Sequence, residues 1–468
     1  ADEKIYKRVE KIIKEEDLKE KTDSFWVESR PDTLTEQEAG VYSMIDSIQR
    51  IPTFKRFMNV ASLLISGWKT VGPVEFGPLP ALFSFNDVEG FRLRMGFRTV
   101  PAFNKKNMFE TYGAYGFKDK EWKYIFAFTH SFNKNFLTNP QNRIIFSYQH
   151  ETIFPGQDLQ FLNDDNFLLS FKRGSSDQMI FFDSYKIDYN KEFHSGLAFN
   201  IIGENKKQVP LGRLKFVTNN LGQTEVSSIN TDALDVNLRF APNEQFYQGK
   251  NFRIPIPNKY PIFKLNYRQG LKNVVNGEYQ FSRVAGQIFK RFYLAQLGFT
   301  DMELEGGKIL GSVPYPLLNL PQANQSFFLQ ETSFNMMNFM EFISDEYASV
   351  KLTHYFNGFI FNKVPLFKRL KWREVLSVKA LYGNLTDENN PDINNELYKF
   401  PVDINGGSST FAFKNGVPYV EASIGIMNFF NVFRIEFLQR LTYLDNPGVP
   451  TMFGVKGLGI RAKGKVDF

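Results

Sequence analysis

The last fourteen residues of the sequence, 455–468 (VKGLGIRAKGKVDF), alternate between apolar and charged side chains. Every second residue from Leu458 to Phe468 is apolar or small, and the residues between them include Arg461, Lys463 and Lys465. A strand places successive side chains on opposite faces, so this pattern predicts a strand with one apolar and one charged face. Two structures accommodate such a strand: the closing strand of a barrel in lipid, or an amphipathic strand of a soluble sandwich.

A second stretch, 89–99 (EGFRLRMGFRT), shows the same alternation more strongly. Arg92, Arg94 and Arg98 fall on one face, and the opposite face carries an unbroken row of apolar side chains from Phe91 to Phe97. A barrel in lipid has an apolar outer face and a polar, hydrated lumen, which accounts for arginines in this position. Comparable alternation recurs near 122–129, 376–382 and 433–443, so the membrane barrel is favoured over the soluble sandwich.

The composition excludes several classes of protein. The 468 residues contain no cysteine, which removes disulfides, thiolate metal sites and thiol nucleophiles. The net charge of +6 is modest and no basic run is interleaved with stacking aromatics, so no nucleic acid is expected as a partner. A mean hydropathy of −0.31 suits a barrel whose outward apolar residues alternate with polar ones. No apolar run approaches the roughly 18 residues that a membrane helix needs.

The predicted fold is all-β: a sixteen-stranded antiparallel transmembrane β-barrel with a small helical N-terminal periplasmic region. Residues 1–88 form the N-terminal region and linker, and 89–468 form the barrel. Helices are predicted over 1–22, 33–48 and 54–66, followed by a Gly- and Pro-rich linker at 72–80. The strand at 90–100 is taken as the first, and 193–203 and 211–218 as two separate strands. Long loops at 306–345 and 385–416 are expected at the outer end, but two inner connections, 153–177 and 242–259, exceed the short turns of that end.

Three segments resemble a known group of proteins: 84–99 (SFNDVEGFRLRMGFRT), 359–384 (FIFNKVPLFKRLKWREVLSVKALYGN) and the terminal VKGLGIRAKGKVDF. They resemble the first and late barrel strands of the BamA/TamA-like superfamily of outer-membrane proteins. The lead-in FWVESRP and LTEQEAGVYSMIDSI resembles a Bacteroidota-type branch in which a carboxypeptidase-regulatory-like domain usually precedes the barrel. The resemblance covers roughly residues 22–468.

The resemblance implies a barrel whose first and last strands meet at a weak lateral seam, used in the superfamily for protein insertion or secretion. Glycine weakens a strand, so glycines on the two predicted seam strands would soften it; alternatively they only relieve crowding at the closure. The predicted seam glycines are Gly90, Gly96, Gly457, Gly459 and Gly464.

Two features depart from the superfamily. Its long loop after strand eleven carries an Arg-Gly-aromatic motif, whereas 306–345 contains no arginine. Residues 1–88 are also too short and too helical for repeated periplasmic POTRA domains. Both departures argue against this chain being the central insertase itself.

The charged faces of the first and last strands form the candidate site. These side chains either pair across neighbouring strands and fill the lumen, or hold the loop 306–345 as a plug. The apolar loop segments 313–320 and 334–342 are expected to be buried in the barrel. The predicted lumen charge cluster is Arg92, Arg94, Arg98, Glu421, Arg434, Glu436, Arg440 and Arg461.

No enzymatic motif is present, so no enzyme activity is predicted. The four histidines have no metal-site spacing, and residues 387–395 (DENNPDINN) more plausibly form a solvated loop than a calcium site. We expect no cofactor, no metal and no small-molecule substrate, with outer-membrane lipid and other envelope proteins as partners. The predicted function is a component or accessory of outer-membrane protein assembly or translocation; the alternative is a pore or transport barrel, or a structural subunit of an envelope complex. A hydrolase would need a Ser/His/carboxylate set that the sequence does not show.

Overall fold

A computed structural model describes scattered positions between residues 35 and 56 and the ranges 67–156, 170–218, 224–248, 253–414 and 416–464. The chain divides into two compact units, 1–66 and 67–468. Most of the described positions between 40 and 56 are helical. The predicted helix over 1–22, and most of the two later predicted helices, lie outside the described residues.

The second unit is built on one large antiparallel sheet. Its hydrogen-bonded segments occupy sixteen successive positions among the described residues, the number that the sequence predicts, and each strand pairs with its neighbours in the chain. The strands are β1 (Val74–Gly77 continued by Phe83–Asn86), β2 (Gly90–Thr99), β3 (Asn107–Gly116), β4 (Trp122–Ser131), β5 (Asn142–Ile153), β6 (Gln178–Glu192), β7 (Leu197–Gly212), β8 (Ile229–Phe240), β9 (Ile262–Leu271), β10 (Phe281–Tyr293), β11 (Phe299–Leu310), β12 (Glu346–Tyr355), β13 (Arg373–Asn384), β14 (Tyr419–Phe429), β15 (Phe433–Arg440) and β16 (Leu458–Gly464).

Short elements complete the unit. A three-residue strand, Lys69–Val71, pairs with the start of β1. One α-helix, α1, covers Pro365–Arg369. Two-stranded pairs join Phe216–Val217 to Glu225–Val226, Phe246–Gln248 to Arg253–Pro255, Phe342–Ile343 to Phe411–Ala412, and Thr451–Met452 to Val455–Lys456. Single 3-10 turns occur at Leu79–Ala81, Ala295–Leu297, Tyr315–Leu317, Phe361–Lys363 and Asp387–Asn389.

The prediction that the strand at 90–100 begins the sheet is wrong. Both halves of β1 pair with β2, and the compact unit already begins at Gly67. The 3-10 turn Leu79–Ala81 lies between the halves, at the prolines that the sequence analysis took as a linker. Proline has no N–H to give to a ladder, so these residues interrupt the strand without ending it.

The additional strand changes which end of the sheet each connection occupies. In an antiparallel sheet, connections alternate between the two ends, so 154–177, 311–345 and 385–418 all lie at one end. The chain enters β1 and leaves β16 at the opposite end. Segment 154–177 therefore belongs with the long loops, which removes one of the two exceptions noted in the sequence. At the end with short turns, 241–261 remains a long connection, and 356–372, which contains α1, is another.

A further difference concerns residues 193–218, predicted as two strands. Leu197–Gly212 is one continuous strand, β7, and Phe216–Val217 belongs to a separate two-stranded pair. The polar run around Lys206 and Lys207 does not interrupt β7, because these residues pair in register with β6 on one side and β8 on the other.

The two faces of the sheet have opposite character. Along β2, Met95 is 69% exposed while its neighbour Arg94 is 8% exposed. Along β14 and β15, Ile424 and Phe437 are exposed whereas Arg434 is buried. A soluble domain buries its apolar face and hydrates its charges. This sheet does the reverse, as the alternation in the sequence predicts.

Candidate functional site

The buried face of β13 to β16 carries charged side chains directed into the interior of the second unit. Arg434 and Arg440 are the two largest side chains that are fully buried, and Glu421, Glu436 and Arg461 lie beside them with at most 3% exposure. A buried charge is stable only when it is paired and hydrogen-bonded. The partners of these five residues therefore define the site.

Most of the partners belong to residues 311–345, between β11 and β12, which we call the interior loop. Val313, Met336, Met337, Phe342 and others in this loop are fully buried. Its first apolar segment packs with residues from β6, β8, β10 and β11, and its second with residues from β13, β14 and the β15–β16 connection. The predicted burial of segments 313–320 and 334–342 is confirmed.

Glu341 is the centre of the first anchor between the interior loop and the large sheet, β1 to β16, which we call the wall. The Arg440 guanidinium donates Nη2 to Glu341 Oε1 at 2.6 Å and Nη1 to Oε2 at 3.0 Å. Asn446 Nδ2 and the Asn338 backbone N–H add donors at 2.9 Å each. The carboxylate thus has four donors although the pair is almost fully buried. Such bidentate pairs combine charge with a fixed orientation, so this anchor sets the position of the loop.

Glu421, on β14, forms the second anchor. Its two carboxylate oxygens accept the backbone N–H groups of Asn335 and Met336, both at 2.9 Å. The Tyr419 hydroxyl donates to the same carboxylate at 3.0 Å, and Lys379 Nζ lies 3.9 Å away. Two adjacent N–H groups on one carboxylate fix the backbone of the loop as well as its side chains.

A third group of contacts holds the remainder of the loop. Arg434 Nη1 lies 2.7 Å from Glu331 Oε1 and also pairs with Glu436 on its own strand. Lys379 Nζ donates to the Ser333 carbonyl at 2.6 Å. Arg461 Nη2 donates to the Asn335 carbonyl at 3.1 Å. All five predicted cluster members on β14 to β16 therefore lie at one site, and four of them contact the loop directly.

The three predicted cluster members on β2 lie in a different environment. Arg92 Nη2 pairs with Glu151 Oε2 at 2.6 Å and lies 3.5 Å from Glu89. The Arg94 guanidinium stacks on the Tyr112 ring at 3.7 Å. Arg98 pairs with Glu75 at 2.8 Å and stacks on Trp68. Arg98 therefore pairs across neighbouring strands, β2 and β1, whereas the Arg92–Glu151 pair joins β2 to β5, with β3 and β4 between them.

The predicted seam glycines occupy three kinds of position. Gly90 and Gly96 lie on β2, one strand away from the edge of the sheet, because β1 covers that strand. A Cβ on Gly96 would lie 2.6 Å from the Gly77 carbonyl oxygen, so this glycine permits close approach of two strands. Gly457 has a φ of +77°, and a Cβ on Gly459 would contact the Met336 side chain at 3.0 Å, whereas one on Gly464 would meet nothing.

Sequence reasoning missed the loop carboxylates Glu331 and Glu341 and the wall residue Lys379. A signal was available for Glu341: it is the single charged residue in the apolar segment 334–342. A carboxylate in a segment expected to be buried requires a cationic partner. Nothing in the local pattern identifies Arg440 as that partner.

Among the described residues, no group of His, Asp or Glu is arranged to hold a metal ion. None of the described helices is both long and apolar enough to span a membrane.

Comparison with solved structures gives distant likenesses. BamA from Haemophilus ducreyi lacking POTRA domains 1–3 is 9% identical over 85% of this chain and 70% of its own, with a TM-score of 0.49. CdiB from Acinetobacter baumannii is 11% identical over 81% of this chain and 57% of its own, with a TM-score of 0.40. The siderophore receptor PirA from Pseudomonas aeruginosa has a TM-score of 0.29 at 11% identity, over 78% of this chain and 65% of its own.

No curated protein sequence matches the chain significantly. One family model does match, over residues 69–390, which is more than half of the chain. That match begins at the short strand before β1 and ends after β13, so it includes the interior loop and its Glu331 and Glu341. The chain belongs to the family described as "Family of unknown function (DUF5686) C-terminal domain".

Proposed function

We propose that this protein is an outer-membrane barrel of the BamA-like superfamily that acts as a component or accessory of outer-membrane protein assembly or translocation. The observation that carries the proposal is the combination of an apolar outer face with a charged interior filled by the protein's own loop. The outer face suits lipid, and the filled interior suits a role other than free diffusion through a pore.

Exposed side chains support the membrane location. Trp122, Phe126, Met95 and Ile424 are all more than half exposed, and they point away from the charged interior. Apolar surface on this scale is costly in water but stable in hydrocarbon. Outer-membrane lipid is accordingly the first proposed partner.

The arrangement of connections supports an orientation. The long connections 154–177, 311–345 and 385–418 lie at one end, and the chain enters β1 at the other. Outer-membrane barrels place their longer loops outside the cell and their short turns in the periplasm. This supports the proposal that the N-terminal region lies in the periplasm.

A pore or transport barrel is the alternative, and the interior argues against an open form of it. Arg434, Arg440 and Glu421 are engaged by the interior loop and not by solvent. A structural subunit of a larger envelope complex is compatible with the same contacts. In either case we propose other envelope proteins as partners and no enzymatic activity, cofactor or metal.

The resemblance to a particular branch of the superfamily also suggests an accompanying domain. The resemblance of the lead-in segments FWVESRP and LTEQEAGVYSMIDSI to a Bacteroidota-type branch supports the proposal that a carboxypeptidase-regulatory-like domain accompanies this barrel. That domain would lie with the N-terminal region in the periplasm.

Depletion of the protein in its native host tests the function. If it assists assembly or translocation, a defined set of outer-membrane or surface proteins should decrease in quantitative mass spectrometry of the envelope fraction. Purified protein in planar bilayers should show little conductance. An unchanged envelope proteome together with an open ohmic pore would favour the transport alternative and contradict the proposal.

A further inference from the structure

The two edges of the sheet are not joined to each other directly within the described residues. Among the residues that the structure describes, which end at Gly464, no ladder pairs β16 with either half of β1. Instead, the Ala462 backbone N–H donates to the Phe327 carbonyl at 3.3 Å, and the Leu329 N–H donates to the Ala462 carbonyl at 2.8 Å. This is a parallel bridge between Phe328 and Ala462. A piece of the interior loop therefore occupies the free edge of the last strand.

That piece is in turn paired with a second segment, from the β5–β6 connection. The Phe327 N–H donates to the Phe171 carbonyl at 3.0 Å, and the Arg173 N–H donates to the Gln325 carbonyl at 2.8 Å. These bonds make an antiparallel bridge between Lys172 and Ser326. Segments 170–173 and 326–329 thus lie side by side, joined by one isolated antiparallel bridge.

The second segment reaches the first strand. The Phe85 N–H donates to Ser170 Oγ at 2.9 Å. Just beyond it, the Ser176 N–H donates to Asp87 Oδ2 at 2.7 Å and the Asp87 N–H donates to Ser176 Oγ at 3.1 Å. A continuous set of hydrogen bonds therefore runs from β16, through both segments, to β1.

The side chains of the two segments follow the alternation of the wall. Phe171 is 50% exposed and Phe327 is 53% exposed, close to the 54% of Phe85 on β1. The adjacent Gln325 and Ser326 are buried. The sheet itself has aromatic side chains on its exposed face and polar side chains on its buried face. Because the two segments show the same pattern, they form part of the wall as well as of the interior.

We propose that residues 170–173 and 326–329 form a latch that closes the wall between β1 and β16, and that release of the interior loop opens the wall. The second half of this statement follows from covalent continuity, because 326–329 is part of the interior loop. The loop cannot leave its site without removing the segment that pairs with Ala462.

The anchors described above therefore control the latch. Glu421 holds the Asn335 and Met336 N–H groups, which lie six and seven residues beyond the latch segment. Arg173 donates Nη2 to the Met337 carbonyl at 2.7 Å and also bonds Asn338, so the two latch segments share the same support. The latch is a property of the fold; its use as a control point rests on the proposed function.

Pairwise disulfide cross-linking tests the latch, since the chain has no native cysteine. The latch pairs are Phe328→Cys with Ala462→Cys, and Lys172→Cys with Ser326→Cys. The direct pair Phe85→Cys with Ile460→Cys spans the two terminal strands, and Val378→Cys with Ala422→Cys is a control within the β13–β14 ladder. In native membranes under mild oxidation, both latch pairs and the control should cross-link and the direct pair should not. Cross-linking of the direct pair, or failure of the latch pairs while the control forms, would overturn the proposal.

A second experiment tests whether release of the interior loop opens the latch. Adding Glu421→Ala to the 328–462 pair should reduce cross-linking several-fold and raise bilayer conductance, and Glu421→Gln should give a smaller effect of both kinds. Arg291→Ala, which removes a wall pair with Asp301 away from the loop, is the control and should change neither. Heat-modifiable migration confirms that each variant is folded. Raised conductance with unchanged cross-linking would show that loop and wall are independent.

A complementation experiment separates the latch from the proposed function. The 328–462 cysteine pair is expressed in the depleted host with and without reductant. If depletion leaves the envelope proteome unchanged, the proposed function fails whatever the cross-links show. If depletion removes surface proteins but the oxidised pair restores them fully, the function stands and the latch is not a control point.

Discussion

Arg440 and Glu341 form a bidentate ion pair at 2.6 and 3.0 Å, on the buried side of a sheet whose exposed face is apolar. The two residues are 99 positions apart in the sequence and both are almost fully buried. Arg440 lies at the end of β15 and Glu341 near the end of the interior loop, so this pair joins the loop to the wall.

Replacement of Arg440 by alanine should release the loop. It leaves the Glu341 carboxylate buried without its cation, and loss of one partner of a buried pair costs about 3–5 kcal/mol. We expect the loop segment 311–345 to become sensitive to proteinase K in folded, membrane-inserted protein. Cleavage is read by mass spectrometry of the released peptides.

Arg291→Ala is the matched control for that variant. Arg291 also forms a bidentate pair, with Asp301 at 2.6 and 2.7 Å, but the pair joins β10 to the adjacent β11 and is about one-fifth exposed. The interior loop should stay resistant in this variant. Equal cleavage in both variants would mean that the loop is not held by the Arg440 pair.

Gly96→Ala should destabilise the protein whereas Gly464→Ala should not. A Cβ at position 96 would lie 2.6 Å from the Gly77 carbonyl oxygen and 3.1 Å from Tyr112 Cβ, but one at 464 would meet nothing within 4 Å. Forced overpacking typically costs about 1–3 kcal/mol. Urea unfolding in lipid vesicles, followed by heat-modifiable migration, measures the difference. Equal stability of the two variants would show that β1 and β2 are farther apart than described.

Asp177 should stabilise the start of β6 in a pH-dependent manner. Arg213 donates Nε and Nη2 to its carboxylate at 2.8 and 3.1 Å, and these hydrogen bonds hold the pKa of Asp177 below its ordinary 3.8. The stabilisation is complete above the unfolded pKa and disappears as the pH falls through the folded one. Because both side chains are more than one-quarter exposed, it should be below about 1 kcal/mol.

The thermal midpoint of the wild type should therefore exceed that of Asp177→Asn slightly at pH 6, and the difference should vanish near pH 2. Ser227→Ala, in the next connection at the same end of the sheet, serves as the control for general effects of acid. A difference that grows on acidification would have the wrong sign for this pair.

The sequence predicts the character of the sheet because that character is local. The alternation at 89–99 specifies which side chains of β2 are exposed, with Arg92 and Arg94 buried and Leu93 and Met95 exposed. Period-two patterns determine faces regardless of which strand lies next to which. The number of sixteen positions also agrees, although the strands that supply it differ at β1 and β7.

The contacts of the site are not local, and sequence reasoning could not supply them. The pattern around Glu421 gives no indication that its acceptors bind the Asn335 and Met336 N–H groups, 86 and 85 residues away. The prediction that the strand at 90–100 is the first one failed for a different reason. Pro78 and Pro80 mark a break in a strand as readily as they mark a linker, and only the pairing of Phe76 with Phe97 distinguishes the two.

The most direct test of the membrane barrel is a cysteine scan along β14, from Val420 to Ile426, with a fluorescent label at each position and a brominated lipid as quencher. Ala422, Ile424 and Ile426 should be quenched by lipid, and Glu421, Ser423 and Gly425, which face the interior, should not. Quenching that alternates with period two would support the account. Labels at 422, 424 and 426 that are quenched by aqueous iodide and not by lipid would contradict it.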